Sequence, residues 1–181
     1  MESKSEYPSF RDNIVYETFY TGAVGGSVVA VLFLVLDAIA GRPLFTPSVA
    51  GSAMFLGVPP DLHGSSSLEA VALFTPVHFL LAGGLGLLTA LLVRAVEPAR
   101  NRPVLAAALL FVVIEGAFLL GTSILYPSMP AVLGYARVAL VNLLAAAAMV
   151  AWVHHSGHVE DEARHDAMRR ESARASSQAA T

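Results

Sequence analysis

Apolar residues along this chain gather into four blocks of roughly 20 or more, separated by shorter polar or proline-bearing stretches. The first reads TGAVGGSVVAVLFLVLDAIA, about residues 21–40; the others cover about 69–93, 103–125 and 131–153. A helix needs roughly 20 apolar residues, at about 1.5 Å each, to cross a hydrocarbon core of about 30 Å. Backbone N–H and C=O groups cannot stay unpaired in lipid, and a tilted barrel strand would need only about 10 residues, so each block is expected to be a helix. The pattern predicts an all-α integral membrane protein. Its fold class is a four-transmembrane-helix antiparallel bundle with a short interfacial or re-entrant helix in the first outer loop. Residues 1–20 form a cytoplasmic N-terminal segment, 21–155 the transmembrane domain, and 156–181 a charged cytoplasmic tail, partly disordered.

The loop Gly41–Leu68 reads GRPLFTPSVAGSAMFLGVPPDLHGSSSL. Thr46 is an expected N-cap with Pro47 at the first helical position, and Val58-Pro59-Pro60 should end the apolar run Ser48–Leu56. That run is too short to span. Two roles suit it: a lid over an outward-facing cavity, or a connector packed on the helix ends, which is the more ordinary of the two. The stretch LLGTSILYPSMPAVLGYA (119–136) loosely echoes LFTPSVAGSA (44–53), as a remnant of hairpin duplication would. Before the first span, Phe10, Ile14 and Phe19 are spaced as in an interfacial helix or belong to a frayed end.

Composition agrees with lipid as the solvent. The 181 residues are 55% hydrophobic and 14% charged, against about 25% charged in a soluble domain. The four blocks leave no room for a soluble catalytic domain. With net charge -3 and a single lysine, Lys4, there is no basic patch, so nucleic acid is not an expected partner. The absence of cysteine removes disulfides, thiolate metal sites, iron–sulfur clusters and Cys-linked haem.

Charge also orients the spans. Lys4, Arg11, Arg94, Arg100, Arg102, Arg164, Arg169, Arg170 and Arg174 fall on one side, and Arg42 and Arg137 on the other. Nine against two places both termini and the middle loop in the cytoplasm of an inner membrane. Ala38-Ile39-Ala40 resembles a cleavage site, but four acidic residues against two basic ones precede the first block, so a signal peptide is not expected. Small residues mark the expected contact faces: Gly22 and Gly26; Ala82, Gly86 and Ala90; Ala117 and Gly121; Ala145 to Ala148.

Candidate chemistry lies in the few polar residues at depth. Asp37, His78, Glu115, Arg137 and Asn142 form an expected intramembrane polar layer in the central and outer part of the spans. Arg cannot shed its charge and a lone carboxylate is costly in lipid. Arg137 should therefore face Asp37 or Glu115, and Glu115 should face His78 or Asn142. Pro76 lacks an N–H and should loosen span two beside His78, with Thr75 placed to bond the freed carbonyl. Such a layer suits a static network fixing helix register, proton or cation exchange between Glu115 and His78, a haem b or quinone contact at His78, or recognition of a polar headgroup. No cofactor is required by the sequence. A second cluster, His154, His158, Glu162 and His165, falls near one face of a continuing helix at spacings that could hold a divalent metal; a solvated helix is the simpler reading. Walker, zincin, nucleophile-elbow and dinucleotide motifs are missing.

The expected function is accordingly that of a small, non-catalytic accessory or assembly subunit. Its partners are the lipid bilayer and a larger membrane protein complex or further copies of itself. A small proton- or cation-coupled transporter or channel is the first alternative, and a haem- or metal-binding redox protein the second.

Overall fold

The computed structural model of the protein describes residues 14–59, 66–96 and 102–156. Within them the chain is helical, and no strand occurs among the described residues. Helix α1 is Ile14–Ile39, α2 Phe45–Leu56, α3 Leu68–Ala95, α4 Arg102–Leu125 and α5 Met129–Leu133, and α6 is Tyr135–Ser156. Four of them, α1, α3, α4 and α6, are long and apolar enough to cross a membrane.

Two boundaries differ from expectation. The first span begins at Ile14 rather than about residue 21, which brings Glu17 into the helix. The fourth begins at Tyr135 rather than about 131. There the apolar run continues, but Gly134 takes φ 84 and ψ 107, outside the helical region, and separates the five-residue α5 from α6. A positive φ is cheap only for glycine, so one residue divides what hydropathy reads as a single block. Long, short, long is thus the order of helices in both halves: α1, α2, α3 and then α4, α5, α6.

The predicted N-cap of α2 is corrected. The capping position is Leu44, with φ 64, and its side chain makes no capping bond. Thr46 lies inside the helix instead, and Gly57 in the left-handed region ends it before Pro59. Ser67 caps α3 by accepting the Ala70 N–H at 3.2 Å. Pro76 sits inside α3, and Thr75 donates to Val71 O at 2.7 Å. That is one residue short of Ala72, the i−4 carbonyl that Pro76 leaves without its helical donor.

Small residues allow α1 and α3 to touch backbone to backbone. A Cβ on Gly22 would stand 2.7 Å from the Ala82 carbonyl oxygen, and one on Gly86 would collide with the Thr18 carbonyl. Helix α6 lies on the other flank of α1, where Gly25 receives the Met149 side chain. Two apolar clusters complete the packing. In one, Phe33, Phe45, Val49, Met129, Leu133 and Val141 join α1, α2, α5 and α6. In the other, Ala106 and Leu110 of α4 meet Ala146, Met149 and Val150 of α6. The expected small faces hold for Gly22, Gly26, Ala82, Gly86, Ala90, Ala145 and Ala146, and fail for Ala117, Gly121 and the exposed Ala147. A Cβ on Gly121 would meet no atom within 4 Å, because here α4 diverges from its neighbours. The most apolar window of α4 is only 11% buried, against 44% for α6.

Candidate functional site: polar knots around an apolar cavity

The five polar residues expected to form one layer share no single network of contacts. They divide into three separate sets.

The first knot ties α1, α2 and α6. Asp37, in the last turn of α1, is 1% exposed. Its Oδ1 accepts from Arg137 Nη2 at 2.8 Å and from Thr46 Oγ1 at 2.9 Å, and its Oδ2 accepts the Thr46 backbone N–H at 2.6 Å. This explains the capping of α2: the carboxylate of the preceding helix occupies its N-terminus, where exposed N–H groups favour negative charge. Arg137 lies in the first turn of α6, not two turns deep, because that helix starts at Tyr135. Its side chain is 30% exposed, so one end of this ion pair reaches the protein surface.

The second set joins α4 and α6, where Asn142 Nδ2 donates to Glu115 Oε2 at 2.8 Å. An ionised carboxylate only accepts, so the amide nitrogen faces it and the amide oxygen points elsewhere. Of the two partners expected for each group, Arg137 takes Asp37 and Glu115 takes Asn142.

The third set is His78, which neither carboxylate meets. Its Nε2 lies 2.9 Å from the Gly26 carbonyl oxygen on α1. A carbonyl only accepts, so Nε2 carries the proton. The ring packs against Phe74 and Phe79, with centroids 5.7 and 5.2 Å away. A Cβ on Gly26 would stand 3.0 Å from the Ala82 Cβ and 3.1 Å from the Phe79 ring that flanks the imidazole.

Sequence reasoning missed a polar contact at the opposite end. Glu17, 3% exposed, accepts from Arg94 Nη2 at 2.6 Å. The helix continuing to Ile14 turns a residue that read as pre-membrane into a buried carboxylate. The signal available was the charge pattern, with a Glu before the first apolar block and an Arg after the second. The α2–α3 junction was also missed. Ser67 N donates to Ser48 Oγ at 2.7 Å, and Gly51 packs directly on the Ala70 carbonyl.

Beside these knots lies a cavity of about 530 Å³, walled by α1, α2, α3, α4 and the α5–α6 segment. Phe33, Ala50, Phe74, Phe118 and Leu133 supply much of its wall, and His78 and Asn142 both border it. Ala117 and Gly121, expected to be packed, line it instead.

Among the described residues, no three His, Asp or Glu side chains gather as a metal site would need. Of the second expected cluster, His154 is described, in α6, whereas His158, Glu162 and His165 lie outside the described residues. No family model matches the chain, and neither curated proteins nor solved structures give a significant match.

Proposed function

We propose that this chain is a multi-pass protein of the cell inner membrane whose long helices form an antiparallel bundle. Both termini and the α3–α4 loop lie in the cytoplasm, with α2 and α5 at the outer face. The chain acts without catalysis, as an accessory or assembly subunit of a larger membrane complex. Two kinds of observation support the architecture. Contacts pair the start of one long helix with the end of another, as in Glu17 of α1 with Arg94 of α3 and Arg137 of α6 with Asp37 of α1. Nine of the eleven Lys and Arg residues fall on the proposed inner side.

The observation that carries the functional reading is the use of the buried charges. Asp37 accepts three hydrogen bonds within the fold, one from Arg137 and two from Thr46, tying three helices at one point. Glu17 is likewise held by Arg94. Groups fixed in this way set helix register and leave little to exchange with a substrate. Meanwhile α4 offers the least buried apolar window of the four spans, a surface suited to lipid or to a partner's helix.

The test is isolation of the full chain in mild detergent without overexpression. Recovery at fixed stoichiometry in a larger assembly supports the reading. Recovery solely as a free monomer contradicts it.

One observation favours a second reading, a proton- or cation-coupled transporter. Asn142 borders the cavity and also holds Glu115, so Glu115 is one hydrogen bond from that space. Proton flux into proteoliposomes that is lost in Glu115→Gln would favour it over the accessory reading.

A further inference from the structure

Neither an ion pair nor a helix contact accounts for the cavity, and its chemistry is specific. Among the described residues no Asp, Glu, Lys or Arg lines it, and its walls are mainly aromatic and aliphatic. Its volume, about 530 Å³, lies within the range of about 300–1,000 Å³ typical of small-molecule sites. Val31, Leu34, Phe79 and Leu81 take part in its wall, and each is also exposed on the outside of α1 or α3. Those positions lie within helices long and apolar enough to span a membrane, so an opening between them faces hydrocarbon when the helices span.

Two acceptors face this space without protein donors. Asn142 is 93% buried; its amide nitrogen is committed to Glu115, and its Oδ1 has no hydrogen bond. His78 commits its Nε2–H to the Gly26 carbonyl, which leaves Nδ1 with no protein hydrogen bond. A ligand that donates a hydrogen bond here recovers one it gave up to water, an advantage that a ligand without a donor lacks. A charged headgroup would have no counter-ion here and would be strongly disfavoured.

We infer that the cavity is a binding site for a neutral lipid with one long hydrocarbon chain and a hydroxyl head, the chain lying among Phe74, Phe118 and Met54 and the hydroxyl donating to Asn142 Oδ1 or His78 Nδ1. The site is entered sideways from the bilayer. This inference is independent of the accessory reading: an accessory subunit and a transporter could each carry it.

The test uses the full chain in phosphatidylcholine nanodiscs and three probes of equal length. They are hexadecanol carrying a chain diazirine, the corresponding hexadecanoic acid and its methyl ester. After irradiation, adducts are mapped by mass spectrometry. The alcohol should label cavity residues such as Met54, Phe74 and Phe118, with competition by unlabelled hexadecanol. The ester, which has no donor, should label them at least five-fold less. Gly121→Leu should reduce alcohol labelling at least five-fold, since a side chain there enters open space; unchanged helicity and melting temperature confirm that the variant folds. Alcohol adducts spread evenly over outward residues such as Val112 and Leu120 would overturn the site. Equal labelling by ester and alcohol, measured on the unmodified chain and so independent of any variant's folding, would overturn the hydroxyl assignment. Preferential labelling by the acid would overturn the neutral-head assignment.

Discussion

Removing the Asp37 carboxylate should do two separable kinds of damage. The side chain is 1% exposed and accepts three hydrogen bonds: one from Arg137 and two from Thr46. In Asp37→Ala the guanidinium loses its counter-ion, and breaking a buried pair costs about 3–5 kcal/mol. Because the Arg137 side chain is 30% exposed, part of that charge can be resolvated, so the ionic share belongs at the lower end, about 2–3 kcal/mol. The loss of the acceptor at the N-terminus of α2 adds about 1 kcal/mol, the usual worth of a helix cap. Arg137→Met inflicts only the ionic loss and leaves Thr46 bonded, but the carboxylate it strands is 1% exposed, so about 3 kcal/mol is expected. In the double variant the ionic share is lost once. Its destabilisation should fall short of the summed single effects by about 2 kcal/mol, within the usual range for contacting residues.

The assay is reversible unfolding in mixed micelles with increasing dodecyl sulfate, followed by far-ultraviolet circular dichroism. Amide exchange over residues 45–56 adds a local readout. It should accelerate in Asp37→Ala and stay near the parent rate in Arg137→Met. Single effects that add to within about 0.5 kcal/mol, or equal exchange over α2 in both variants, would refute the reasoning.

Further outcomes follow from the same geometry. Gly86→Val drives a side chain into the Thr18 carbonyl and should destabilise the protein by at least about 3 kcal/mol, whereas Gly84→Ala, facing open space, should stay within about 0.5 kcal/mol in the same unfolding assay. Glu115→Gln keeps an acceptor for the Asn142 amide and should cost less than about 1 kcal/mol, while Glu115→Leu leaves that amide without its partner and should cost about 1–3 kcal/mol. Glu17→Leu strands the Arg94 guanidinium near the opposite end. Arg94 is partly exposed, so the loss should be modest, about 1–2 kcal/mol, and measurable as a lower melting temperature.

The spans were legible because lipid imposes a simple code: length and hydropathy, with few competing signals. The all-helical architecture followed from counting residues, and asking what a charge at depth requires narrowed Arg137 and Glu115 to two partners each, of which the structure uses one. The misses have a common physical origin. Hydropathy cannot see backbone conformation, so the break at Gly134 and the displaced N-terminus of α2 were invisible to it. The break matters for function, because starting α6 at Tyr135 moves Arg137 from depth to a helix end. Likewise Ala117 and Gly121 carry the small-residue signature of a contact, yet they border a cavity. Small size permits close approach, and the neighbouring helices decide whether it occurs. His78 was expected beside Glu115; the Gly26 backbone carbonyl satisfies it instead, and a side-chain pairing argument does not count backbone acceptors.

Everything in the account depends on the chain crossing a bilayer four times with its two ends on one side. The absence of cysteine makes a direct test simple, since any introduced thiol is the only one present. Single variants Ser5→Cys, Ser66→Cys, Pro98→Cys, Ser128→Cys and Ser177→Cys should be expressed in cells whose inner membrane is intact and accessible, then treated with a membrane-impermeant maleimide. The account predicts rapid labelling of positions 66 and 128 from outside, with positions 5, 98 and 177 labelled only after the inner membrane is permeabilised. Labelling of position 5 or 177 from outside, or of 66 and 128 only from inside, would contradict it.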